Sequence, residues 1–235
     1  MNYNNIDNKI LPLFIIIFIC LQTSLIKAEI DVSTIENNEH YILVTGFGPW
    51  HIHDENPSGL AALFLNDTTI STYHIIGIEL PVDFNESVTK MIQSIESYDP
   101  EFILSLGLAA NAKSVRLENL AVNIQFDSLD DHPFQTIKRI NPNGRLFLQT
   151  TLDVKESISA MKKIEIPVIQ SYSAGLYICN TLFYKTLSYL QEYSPDVPMG
   201  FLHVPQINPM NQNDIDLDMI VNAARVCIIV YIENK

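Results

Sequence analysis

Residues 166–193 read IPVIQSYSAGLYICNTLFYKTLSYLQEY, and this run decides the fold class. Its first ten residues have the β-branched and aromatic content of a strand and end on Gly175. The rest, ICNTLFYKTLSYLQEY, carries apolar residues at helical spacing and predicts a helix that starts near Cys179. A strand, a glycine turn and a helix in succession form half of a βαβ unit.

The same unit recurs outward from this stretch. HYILVTGFGP reads as a buried strand ending in a glycine turn, and NPSGLAALFLN as a helix with proline in its first turn. TYHIIGIELPV predicts a strand, NESVTKMIQSIESY an amphipathic helix, and EFILSLGLA another buried strand. SVRLENLAVNIQF alternates in strand fashion, and residues 127–151, with Pro, Gly, Asn and Asp, predict a long excursion. VKESISAMKKI predicts a helix, PMGFLHVPQ a strand, and DIDLDMIVNAARVCIIVYI a closing helix. Alternating strands and helices without an internal repeat predict one α/β domain over residues 41–235. Its expected form is an open, mainly parallel twisted sheet with helices on both faces. Ligands of such folds bind beyond the carboxyl ends of the strands.

Composition narrows the function. The 235 residues hold 14 basic and 27 acidic side chains, a net charge of −13. No stretch offers the clustered Lys and Arg that a phosphate backbone requires, so nucleic acid is not an expected partner. Residues 10–26, ILPLFIIIFICLQTSLI, form an apolar run after a polar start and before Ala28. This is the pattern of a cleaved signal peptide over residues 1–28, followed by a polar segment over 29–40. The alternative is an uncleaved anchor over residues 10–26, at the short end of a bilayer span. Asn66-Asp-Thr68 and Asn85-Glu-Ser87 are acceptor patterns for N-glycosylation on that route. The expected product is secreted or lumenal, with no stable membrane span after cleavage.

Cys179 and Cys227 remain beyond the leader, too few for a disulfide framework. Cys227 lies in an apolar helix and reads as a core thiol. Cys179 falls in a helical first turn, where unpaired N–H groups and the dipole favour the thiolate and can bind an oxyanion. Among six histidines, His203 ends a predicted strand, where an α/β sheet gathers its catalytic groups. Glu118 is a carboxylate in an apolar, strand-like stretch, where a charge calls for a partner. A nucleophile, a base and an orienting carboxylate are the parts of a catalytic triad. His51-Ile-His-Asp-Glu55 invites a metal reading, but an exposed acidic loop explains it equally, and no metal is expected.

Three segments together resemble pyroglutamyl peptidase of type I, a cysteine peptidase that removes an N-terminal pyroglutamate. LVTGFGPW with ENPS is similar to that family's opening motif, GLAANAKSVRLENLAVN to its glutamate segment, and SAGLYICNTLFY with FLHVP to its cysteine and histidine segments. The resemblance implies a catalytic set of Glu118, Cys179 and His203, with no cofactor. It implies contacts to the substrate ring from Phe47, Trp50, Asn56, Tyr177 and Ile178. The expected partners are peptides blocked by N-terminal pyroglutamate. A diverged relative that binds such blocked N-termini with little or no turnover is the alternative. The chain departs from the family pattern at Trp50, usually Phe, and at His51 and Ile52, usually Gly-Gly. Further departures are Ala110 and Asn111, again in place of Gly-Gly, Asn119 in place of a basic residue, and Ser128 in place of an arginine.

Overall fold

The computed structural model describes residues 39–50, 55–126, 136–207 and 215–235. The first half contains β1 (His40–Phe47), α1 (Pro57–Leu65), β2 (Thr69–Ile70), β3 (Tyr73–Leu80), α2 (Glu86–Tyr98) and β4 (Phe102–Leu108). Next come β5 (Val115–Glu118), β6 (Leu120–Val122), β7 (Gln125–Phe126), β8 (Ile137–Lys138), β9 (Phe147–Gln149) and α3 (Val154–Lys163). The chain closes with β10 (Val168–Ser171), α4 (Ile178–Tyr193), β11 (Met199–Val204) and α5 (Leu217–Glu233).

Alternation along the central strands sorts their side chains onto two faces. Ile42 and Val44 of β1 join Phe102, Leu104 and Leu106 of β4 in a core closed by α1, α3 and α5. The intervening Leu43 and Ile103 join Met91 of α2 and Leu182, Phe183 and Leu187 of α4 on the opposite face. Each large apolar side chain buried in this way contributes about 1.5–3 kcal/mol. Close approach matters as much as area. A Cβ on Gly46 would lie 1.9 Å from the Ser58 carbonyl oxygen, so only glycine lets α1 start against β1.

Seven strands form one sheet in the order β10-β5-β11-β4-β1-β3-β2. β1–β3, β1–β4, β4–β11 and β5–β10 are parallel pairs. β5 is antiparallel to β11, and β2 to β3. This is the open, mainly parallel α/β sheet with helices on both faces that the sequence predicts. It is mixed rather than uniform, because β5 and β10 run against the central strands.

One predicted strand breaks up. SVRLENLAVNIQF supplies β5 to the main sheet, β6 to a pair with β9, and β7 to a pair with β8. Alternation along a chain fixes which residues share a face, but the choice of sheet is made by distant partners. Here Asn119 donates its N–H to Ser171 O at 2.7 Å, and the next residue already pairs with β9.

Several expectations lie outside the described residues: the leader over 1–28 with its anchor alternative over 10–26, most of the polar segment 29–40, the histidines at 51 and 53, and Ser128. No helix among the described residues is long and apolar enough to cross a membrane. Of the two acceptor asparagines, Asn85 is exposed beside α2. The amide of Asn66 is already engaged, accepting from Gly77 N and donating to Asp67 Oδ2, each at 2.9 Å.

Candidate active site

Period-two geometry brings the site together. Phe47 on β1, Gly107 on β4, His203 on β11, and Arg116 and Glu118 on β5 share the sheet face that α4 covers. In the antiparallel register Arg116 stands opposite His203 and Leu117 opposite Leu202. Glu118 therefore lies one step deeper than the strand ends, beneath the imidazole. It is 1% exposed, and its Oε1 lies 2.8 Å from His203 Nδ1. With Nδ1 bonded there, Nε2 is the nitrogen turned to Cys179.

Cys179 occupies the first turn of α4, after the N-cap residue Tyr177, which makes no side-chain capping bond. The N-cap side chain therefore does not occupy the backbone N–H groups of this turn, the groups that a helix start presents to an anion. Cys179 is unpaired and partly exposed, while Cys227 is unpaired and buried. Burial pushes the Cys227 thiol up to about 12, so it is inert at neutral pH. Burial of His203 works against its protonation. The hydrogen bond and charge of Cys179, followed by those of Glu118, outweigh this and raise the imidazole to about 9. At neutral pH the histidine is a cation between two acidic groups.

Space for the sulfur comes from Gly107, which sequence reading passed over. A Cβ there would stand 2.8 Å from Cys179 Sγ and 3.0 Å from Phe201 Cζ.

Asn180, beside the nucleophile, is fully buried. Its Oδ1 accepts from Val122 N, and its Nδ2 donates to Val122 O and Ile124 O, all at 2.9 Å. Phe126 N adds a bond to Leu176 O at 2.9 Å, and the Phe126 ring lies 4.9 Å from that of Tyr177. The chain that leaves Glu118 is thereby laced to the turn that carries Cys179. Replacing Asn180 with alanine removes three bonds and strands buried backbone groups. The expected result is a loss of about 2–4 kcal/mol in thermal or denaturant unfolding.

A cavity of about 320 Å³ opens above these groups, bordered by Cys179, His203, Phe47, Trp50, Asn56, Tyr177 and Ile178. All the residues expected at the site except Glu118 thus reach one cavity, and Glu118 backs the histidine from below. Asn56 borders it, but its amide mainly holds the loop. Oδ1 accepts from Ser58 N and Ser58 Oγ, and Nδ2 donates to Gly48 O at 2.9 Å. Arg116 also lines the cavity. Its position two residues before Glu118 in a strand was the signal that could have revealed it.

Comparison with known proteins decides the relationship. The family model described as pyroglutamyl peptidase matches residues 40–234. The chain belongs to the pyroglutamyl peptidase family. A pyrrolidone-carboxylate peptidase of Bacillus subtilis (strain 168) is 31% identical over 195 residues, covering 80% of this chain and 90% of that protein. One from Deinococcus radiodurans is 34% identical over 168 residues, covering 70% and 77%. Among solved structures, the pyrrolidone carboxyl peptidase from Thermococcus litoralis aligns with a TM-score of 0.76 at 27% identity, covering 83% of this chain and 94% of that one. Pyroglutamyl peptidase I from Bacillus amyloliquefaciens aligns at 0.75 and 28%, covering 82% and 94%. The family and the fold expected from the sequence are those found.

Proposed function

We propose that this pyroglutamyl peptidase family member hydrolyses the N-terminal pyroglutamyl residue of peptides through an acyl-enzyme on Cys179. One observation carries the reading. An unpaired cysteine at an uncapped helix start contacts a histidine whose far nitrogen is bonded to a buried glutamate, beneath an apolar cavity. Pyroglutamate is a small neutral lactam, and Phe47, Trp50, Tyr177 and Ile178 supply surfaces suited to its ring.

In this mechanism the Cys179 sulfur attacks the acyl carbon, and the oxyanion that forms faces the backbone N–H groups of the α4 first turn. His203 Nε2 gives its proton to the leaving nitrogen as the C–N bond breaks, leaving a thioester. Water then attacks the thioester while Nε2 takes its proton, and the C–S bond breaks to release pyroglutamic acid, returning the sulfur and the imidazolium to their starting state. Glu118 keeps the ring oriented and balances its charge throughout.

The test is release of a fluorogenic amine from a pyroglutamyl amide, with and without a thiol alkylator. Release that alkylation abolishes is expected, and of the two thiols among the described residues Cys179 alone should be labelled in the folded chain, because Cys227 is buried. The imidazolium must donate, so kcat/KM should fall about tenfold per pH unit above the His203 value near 9. The stability linkage has the same direction. A histidine raised from 6.5 stabilises the fold fully below that value, and this contribution is lost as pH rises through about 9. No release between about pH 6 and 8 would favour the alternative, a binder of blocked N-termini.

A further inference from the structure

The two sides of the cavity differ in chemistry. The sheet order sets β1 and β3 on one side of β4 and β11, and β5 and β10 on the other. Phe47, Trp50 and Val82 give the first side an apolar wall, while Arg116 and Ser173 give the second a polar one. Cys179 and His203 stand between them, with the sulfur over Gly107 of β4 and the imidazole on β11.

Arg116 is the register partner of His203. Such partners hold their Cα atoms about 4.5–5.5 Å apart and project side chains to the same face. Its Nε is buried without a hydrogen-bond partner, and none of the ion pairs among the described residues involves it. A guanidinium partly withdrawn from water without an acceptor favours any ligand that brings one. The chain's net charge of −13 opposes anions at long range, so a carboxylate gains its hold here from this local cation.

We propose that Arg116 is a specificity-determining residue that receives a carboxylate on the first residue of the leaving peptide. The inference rests on the peptidase reading above. An acyl carbon at Cys179 Sγ has its ring on one side and the leaving nitrogen on the other. With the ring against Phe47 and Trp50, the leaving residue passes His203, which protonates its nitrogen, and comes to lie beside Arg116. Two sources supply the carboxylate: the free α-carboxylate of a pyroglutamyl dipeptide, or an acidic side chain at the start of a longer peptide. The planar guanidinium fork suits either.

Four substrates separate them: pyroglutamyl-alanine, its α-amide, pyroglutamyl-glutamic acid α-amide and pyroglutamyl-glutamine α-amide. In the wild-type protein, kcat/KM should favour the carboxylate member of at least one pair by about tenfold. The first pair reports the terminal carboxylate and the second the side chain. Arg116→Gln should bring the favoured ratio to about one, and Arg116→Lys should keep part of it. Because the readout is a ratio within one preparation, partial loss of folded protein does not move it. Wild-type turnover of all four with both ratios near one overturns the role of Arg116 and leaves the peptidase standing. An Arg116→Gln variant that slows all four equally, with ratios intact, also overturns it, since the arginine would then act on the acyl group. Failure to cleave any of the four removes the peptidase reading and this inference with it.

Discussion

Replacing Cys179 with alanine is expected to lower turnover of a pyroglutamyl amide by at least about 10,000-fold while the fold persists. The sulfur is the nucleophile in the proposed reaction, and among the described residues that line the cavity Cys179 is the one thiol. Cys227 is the other thiol among the described residues, but it is buried in α5 and raised to about 12. The variant should also report on the histidine. The Cys179 bond and charge come before those of Glu118 among the influences that raise His203. Without them, burial acts against the single remaining partner, and the imidazole should titrate lower. Its ring resonances, followed by NMR across pH 5 to 10, test this in the folded variant. A titration that stayed near 9 would mean that Glu118 alone sets the charge, and that the sulfur is not paired with the ring.

How much of this was legible beforehand depends on how local each cause is. The strand, turn and helix around Cys179 are encoded in contiguous residues, so the nucleophile's place in a helical first turn could be read directly. The alternation of Ile42, Leu43 and Val44 fixes two faces in the same way. Local pattern could not say that β5 and β10 run against the central strands, nor that the stretch from Val115 to Phe126 serves three sheets. Those outcomes depend on pairing with residues far along the chain. Asn180 shows the same limit. Its neighbours in sequence show a helical first turn, but its three bonds go to Val122 and Ile124, nearly sixty positions earlier. Asn56 was read as a contact for the substrate, whereas its bonds to Gly48 and Ser58 give it a structural task that the motif alone conceals.

Gly107 was the least legible of all, because a missing side chain leaves no mark on a pattern such as LSLGLA. Alanine at this position is nevertheless expected to cost about 100-fold in kcat/KM. The added carbon would sit 2.8 Å from Cys179 Sγ, closer than such carbons are found, and a tight 3.0 Å from the Phe201 ring. The sulfur has a single rotatable bond, and the Phe201 ring packs against Phe183 with centroids 5.3 Å apart. Little can yield except the position of the nucleophile. Overpacking of this kind adds about 1–3 kcal/mol of destabilisation, so unfolding must be measured alongside turnover. The two effects separate because the strain falls on one atom of the reaction. The alkylation rate of Cys179 and the His203 titration should both change in a variant that remains folded, whereas a uniform loss of stability would leave them as they are. A folded Gly107→Ala protein with unchanged turnover would mean that the sulfur does not rest over β4, and the geometry proposed for attack would have to be abandoned.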